Sequence, residues 1–219
     1  MTRSITAKKA KQILAALAAA YPDAKPELHF TNPYETLVAT MLSAQSTDKQ
    51  VNKVTPAVFR DFPTVSSMAQ TTPEILFPYV KSCGFASKAA NIVMAARKIM
   101  AEYGGEVPGD LDRLISLPGV GRKTANVVLA NAFHIPAMAV DTHVFRVSNR
   151  LGLASAGSIE KTERQLMQNI PREDWIRAHH WLIYHGRRVC KAQRPLCGAC
   201  ALRDVCFYVK GVSIGNTNA

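Results

Sequence analysis

The sequence lacks any apolar run approaching the ~20 residues that a membrane-spanning helix needs, so no membrane partner is expected. Aromatic residues are few, at 7% of 219. Strand-like alternation of apolar and polar residues is scarce. Repeats and low-complexity linkers are absent, which excludes solenoid arrays and long disordered connectors. Acidic residues are in short supply, with 16 Asp+Glu against 27 Lys+Arg. There are five cysteines. That odd number, with nothing supporting export, argues against a disulfide framework. What is present is a hydrophobic fraction of 47%, enough for a sizeable core. The net charge of +11 favours a polyanion such as nucleic acid, because cations on a phosphate backbone release condensed counterions.

Helical periodicity fills most of the chain. KKAKQ followed by ILAALAAA has the outline of a secretory signal. However, Ile13, Leu14, Leu17 and Tyr21 share one helical face, and Arg3, Lys8, Lys9 and Lys11 suit a solvated helix end. Asn32, Pro33 and Glu35 read as an N-cap, a first-turn proline and a capping box. Leu37, Val38, Met41 and Leu42 then form an apolar stripe, and Val51, Val54 and Val58 another. Ser87 opens a long helix with Ile92, Val93, Ala96, Ile99 and Met100, stopped by Gly104. Asp110 starts a short one. Thr142 to Leu151 is a helix ended by Gly152, and Trp175 marks the last long one. The expected fold is all-α with roughly ten short helices. Gly215 to Ala219 carries no functional signal and reads as a disordered tail.

Four cysteines cluster in CKAQRPLCGACALRDVC: Cys190, Cys197, Cys200 and Cys206, with gaps of six, two and five residues. Four thiolates so close in sequence can converge on one metal centre. Structural zinc usually shows two C-x2-C pairs, and only one is present here. The spacing therefore favours an iron–sulfur cluster, with zinc still open. Arg187, Arg188, Lys191, Arg194 and Arg203 crowd the segment. Some would face the thiolates and others a phosphate backbone. Cys83 stands apart and reads as a small buried hydrophobe.

The stretch LPGVGRKTA, Leu117 to Ala125, resembles a P-loop out of register. A P-loop needs G-x-x-x-x-G-K-[ST] after a strand. Here Gly119 and Gly121 are two apart, Arg122 intervenes before Lys123, and a helical pattern precedes. Helix, LPGVG turn, helix describes a helix–hairpin–helix instead. Backbone N–H groups at the start of its second helix can hold a DNA phosphate without reading sequence. A plain αα-hairpin would look similar. Lys123 lies in the first turn, where the positive end of the helix dipole favours a neutral, nucleophilic amine; a phosphate-contacting lysine is the alternative. In AVDTHVFR, Asp141 sits where an N-cap belongs. It could also accept a proton from a lysine or stabilise a sugar cation.

Taken together, LPGVGRKTANVV, VDTHVFRVSNR, LSAQSTD, GEVP and the four-cysteine pattern resemble the endonuclease III family of helix–hairpin–helix DNA glycosylases. The resemblance covers nearly the whole chain in order. It implies two α-helical domains with the active site in the cleft between them. One is a central domain over 26–135, holding the helix–hairpin–helix at about 110–133. The other, built from 1–25 and 136–219, carries a [4Fe–4S] cluster on its 190–206 loop. The implied activity is removal of oxidised or ring-saturated pyrimidines from double-stranded DNA, with AP lyase cleavage. Lys123 matches the nucleophile and Asp141 its carboxylate partner. Gln45 matches the residue that fills the gap left by a flipped base. Phe85 falls where relatives carry an apolar wedge, often Leu, although a core aromatic would read the same. Gly119, Gly121 and Arg122 would contact DNA, as would Lys191 and Arg194. A monomer in the bacterial cytoplasm, associated with the nucleoid, is expected. Adenine glycosylases of the superfamily normally lack the lysine, and 8-oxoguanine glycosylases generally lack the cysteine loop. A non-catalytic iron–sulfur DNA-binding protein is the reading from outside the enzyme class.

Overall fold

The computed structural model describes residues 5–211; Arg3 and the 215–219 tail lie outside the described residues. Among these there are eleven α-helices and no strand. They are α1 Ala7–Ala20, α2 Pro33–Ser43, α3 Asp48–Asp61, α4 Val65–Gln70, α5 Pro73–Val80, α6 Ala86–Tyr103, α7 Leu111–Ile115, α8 Arg122–Ala132, α9 Thr142–Leu151, α10 Ile159–Asn169 and α11 Trp175–Arg188. Short 3₁₀ turns add Lys81–Cys83, Cys197–Ala199 and Arg203–Val205. Among the described residues no helix is long and apolar enough to cross a membrane.

The helices start where short polar side chains satisfy their first N–H groups. Thr6, Asn32, Thr47, Thr64, Thr72, Asp110, Asp141 and Ser158 each accept a hydrogen bond from the backbone three residues on. Each such cap stabilises its helix by ~1 kcal/mol. The box expected at Asn32 forms only in half. Asn32 accepts from the Glu35 N–H at 2.9 Å. The Glu35 carboxylate reaches past it to the Thr31 N–H at 2.7 Å and the Thr31 hydroxyl at 2.8 Å. Two donors on Thr31 outbid the single N–H of Asn32. The helix expected from Ser87 starts one residue earlier, at Ala86, with Phe85 as its N-cap.

The chain divides into two compact units, Pro26–Ile135 on one hand and Met1–Lys25 with Pro136–Ala219 on the other. In the first, α2 packs on α3, α6 and α8, while α4 and α5 cover α6. Leu42, Met68, Leu76, Ile92, Ile99 and Leu114 are fully buried there. Cys83 is buried with them, as a small hydrophobe should be. Val54 is half-buried and Thr55 takes the inward position instead. Met100 is partly exposed, at the margin of the α6 stripe. In the second unit α11 packs on α9 and α1, and α10 on α9. Its core holds Ile13, Leu17, Met138, Val144, Leu151 and Leu182.

Buried His180 of α11 contributes to the acid sensitivity of that unit. Burial, then the adjacent His179, lowers the His180 pKa from 6.5 to about 3. The unfolded chain therefore binds this proton first as pH falls, and stability rises with pH between about 3 and 6.5. The wild-type urea midpoint should drop from pH 7 to pH 5, with about 2 kcal/mol of that loss belonging to His180. In His180→Asn the same titration should be visibly flatter; an unchanged slope refutes the assignment.

Candidate nucleic-acid and catalytic site

In the Pro26–Ile135 unit, two α-helices start without a capping side chain: α6 behind Phe85 and α8 behind Gly121. Their first-turn N–H groups are left for something else to satisfy. The α8 start is built by the LPGVG turn. Leu117 and Val120 are buried and anchor it, with the Val120 N–H donating to the Leu117 carbonyl at 3.1 Å. Gly119 has φ +75°, and a Cβ there would stand 2.7 Å from the Asn91 side chain of α6. Both the conformation and the close approach demand glycine. At Gly121 a Cβ would meet nothing within 4 Å, so the backbone at the mouth of the helix is open to an approaching group.

Arg122 and Lys123 are exposed in the first turn of α8. Among the described residues, the Lys123 ammonium makes no hydrogen bond or ion pair. Gln45 is exposed at φ +56° just past α2, a conformation that L-residues other than glycine rarely adopt. Phe85 is 73% exposed, which overturns its reading as a core aromatic. The loops that carry Gln45 and Phe85 are brought together. The Lys88 ammonium of α6 donates to the carbonyls of Leu42 (2.8 Å), Ala44 and Cys83. The Gln50 amide donates to the Ser82 hydroxyl at 2.7 Å. No sequence motif had singled out Lys88.

In the second unit, Asp141 is the N-cap of α9: its Oδ1 accepts from the Val144 N–H at 2.7 Å. Its other oxygen has no partner among the described residues. The approach to Asp141 is fixed by His179, whose Nδ1 lies 2.8 Å from the Ala139 carbonyl. A carbonyl only accepts, so this nitrogen carries the proton. The capping role expected for Asp141 is thus in place, with one oxygen engaged by the cap.

The four cysteines gather in the same unit. None is in a disulfide. Cys206 belongs to the core, and Cys190 and Cys200 pack against it. Burial pushes the Cys200 thiol up; a backbone N–H from Leu202 opposes this, and the other three cysteines reinforce it. Four thiolates this near to one another repel unless a cationic centre neutralises them, so the donor set fits a thiolate-held group. Among the described residues, no three His, Cys, Asp or Glu side chains close on a single-ion site.

Two cations that hold the cysteine loop, Arg146 and Arg150, were not among those the sequence pointed to. They come from α9. Arg146 donates through Nε to the Cys190 carbonyl and through Nη2 to the Gly186 carbonyl, both at 3.0 Å. Arg150 donates to the carbonyls of Lys191 at 2.7 Å and Ala192 at 2.9 Å, and its Nη1 lies 3.5 Å from Cys190 Sγ. His185 of α11 places Nε2 3.7 Å from Cys200 Sγ and Nδ1 2.8 Å from the Tyr21 hydroxyl. Arg188 stacks on Tyr184 at 4.2 Å. Lys191 and Arg194 are exposed, Arg194 at φ +49°, with no side-chain partners among the described residues. No local signal identified Arg146, Arg150 or His185, because their partners lie in distant segments of the chain.

Residues 38–172 match the family model described as HhH-GPD superfamily base excision DNA repair protein. Endonuclease III of Synechocystis sp. is 48% identical over 94% of this chain and 96% of its own. Endonuclease III of Escherichia coli is 44% identical, covering 94% and 98%. Among solved structures, a trapped endonuclease III–DNA covalent intermediate superposes with a TM-score of 0.89 at 44% identity, over 94% of this chain and 98% of that one. The chain belongs to the endonuclease III family, within the HhH-GPD superfamily of base excision DNA repair proteins.

Proposed function

We infer that this protein is a base-excision DNA glycosylase with AP lyase activity. It acts as a monomer on oxidised or ring-saturated pyrimidines and abasic sites in double-stranded DNA. One observation carries the catalytic assignment. An exposed lysine without a partner, Lys123, stands in the first turn of α8, immediately after an open glycine hairpin. A 44% identical relative has been solved as a covalent DNA intermediate, which supports a nucleophile in this family.

The roles follow from the chemistry. The hairpin N–H groups of Gly119 and Gly121 and the Arg122 side chain hold a backbone phosphate. The lesion leaves the stack, since its sugar cannot be attacked inside the duplex. Phe85 wedges into the step and Gln45 fills the vacated space. The neutral amine of Lys123 attacks C1′, and the base departs with its bonding electron pair. The free carboxylate oxygen of Asp141 stabilises positive charge on the opening sugar and takes the proton that the amine sheds. The resulting imine acidifies C2′. Loss of that proton expels the 3′ phosphate by β-elimination, and water then releases the lysine.

Cys190, Cys197, Cys200 and Cys206 would hold a [4Fe–4S] cluster, which when bound cross-links a loop with little regular structure. Lys191 and Arg194 project from that loop and contact backbone phosphate.

Two measurements test this reading. Borohydride should trap the wild-type protein on thymine-glycol duplex as a covalent adduct, and Lys123→Gln should lose at least about a hundredfold of that yield. Trapping of Lys123→Gln at the wild-type level refutes the nucleophile. Anaerobically purified protein should be brown, with about four iron and four sulfide per chain, and Cys200→Ala should lose most of both. A colourless, zinc-loaded protein refutes the cluster.

A further inference from the structure

The ammonium of Lys88 has three N–H donors and spends them on three carbonyls. Leu42 and Ala44 belong to the end of α2, and Cys83 to the turn before Phe85. The three acceptors come from two segments about 40 residues apart in sequence. Burial, set against an opposing pull from the Cys83 thiol, lowers the Lys88 pKa. All three donors of this cation are thus engaged by backbone carbonyls.

The identity of the acceptors matters. The Ala44 carbonyl belongs to the peptide that leads into Gln45, so the orientation of that peptide sets the Gln45 backbone. Gln45 sits at φ +56°, a conformation that persists only where surrounding structure enforces it. The Cys83 carbonyl belongs to the peptide that leads into Gly84, at φ +126°, and Phe85 follows directly. One ammonium thus fixes the peptide that enters Gln45 and the peptide one residue ahead of Phe85, the two exposed side chains assigned to enter the duplex. The Gln50–Ser82 bond links the two loops a second time, at their base. The Gly84 position adds to the argument: a Cβ there would lie 3.3 Å from Lys88 Nζ, so the turn leaves room for the ammonium.

We propose that Lys88 is the positioning residue that holds Gln45 and Phe85 in a single arrangement for insertion into DNA. The proposal rests on the reading of those two residues as the gap-filler and the wedge. Lys88 itself touches neither phosphate nor the reacting sugar. Its effect falls on base extrusion from a duplex and not on electrostatic affinity or imine chemistry.

The test uses the full-length, cluster-loaded protein with Lys88→Met, which keeps most of the stem and removes the three donors. Single-turnover excision of thymine glycol from duplex should slow about tenfold. The fluorescence rise of 2-aminopurine next to the lesion should shrink in parallel. The salt dependence of duplex binding should stay as in wild type, because no phosphate contact is lost. Borohydride trapping on a single-stranded abasic oligonucleotide, which needs no wedge, should also stay. Phe85→Ala should slow duplex excision by itself, and adding Lys88→Met to it should cost much less than Lys88→Met costs alone. A wild-type duplex rate in folded Lys88→Met overturns the proposal. So does a shallower salt slope, which would make Lys88 a phosphate contact. If Gln45→Ala and Phe85→Ala both leave duplex excision unchanged while Lys88→Met slows it, the wedge reading itself has failed and the proposal falls with it. If Lys88→Met does not fold, Lys88→Arg carries the same test. A planar guanidinium cannot serve three carbonyls that converge on one point, so duplex excision should still slow, and a wild-type rate overturns the proposal.

Discussion

Irregular backbone must find donors for its carbonyls, and in this protein cations from neighbouring helices supply them. Lys88 serves Leu42, Ala44 and Cys83. Arg97 serves Ala69 and Thr71, at 3.0 and 2.8 Å. Lys98 serves Ser116 at 3.0 Å, just before the hairpin. Arg146 and Arg150 serve Gly186, Cys190, Lys191 and Ala192. Short helices leave many loop carbonyls to satisfy, and among the described residues there is no sheet ladder to satisfy them with. A charged donor makes a stronger bond than a neutral one, and a long side chain reaches a loop from a rigid helix. The loops that carry the candidate functional groups are therefore held from outside rather than by their own sequence.

This changes the meaning of the net charge. A surplus of Lys and Arg reads as affinity for a polyanion, and part of it is. Lys123, Lys191 and Arg194 are exposed and have no partners among the described residues. The others named above are engaged with backbone, and their charge is partly spent on architecture. Removing one of these is not equivalent to removing a phosphate contact. It frees a loop, and the loss appears in geometry before it appears in affinity.

What was legible in the sequence was local. The caps at Asn32, Asp110 and Asp141, the stop at Gly152 and the 142–151 helix depend on residues within four positions of one another. The Gly119–Gly121 hairpin is equally short-range, and the four cysteines fall within 17 residues. What was not legible was long-range and directed at backbone. Arg146 and Arg150 look like ordinary surface residues of an amphipathic helix, because a carbonyl acceptor leaves no mark in the sequence. The basic residues next to the cysteines drew attention for proximity, while bonds that hold the loop also come from a helix some 40 residues away. Phe85 could be located but not oriented, since an aromatic before a helix packs inward or outward according to tertiary context. The Glu35 carboxylate chose Thr31 over Asn32 for a comparable reason: two neighbouring donors are better than one.

Helix α9 shows how this arrangement joins chemistry to architecture. Asp141 caps its N-terminus with one oxygen and leaves the other free. Arg146 and Arg150 lie five and nine residues further on and grip the cysteine loop. At 1.5 Å per residue, the carboxylate and the second arginine are ~14 Å apart along one rigid rod. Val144, Val147 and Leu151 seat that rod in the core. Its own backbone bonds leave it little freedom to bend over three turns. Any group that fixes the cysteine loop therefore also fixes α9, and α9 fixes the carboxylate. Under the proposed function, a group held by the cysteine loop would in this way bear on Asp141 through α9 without touching it.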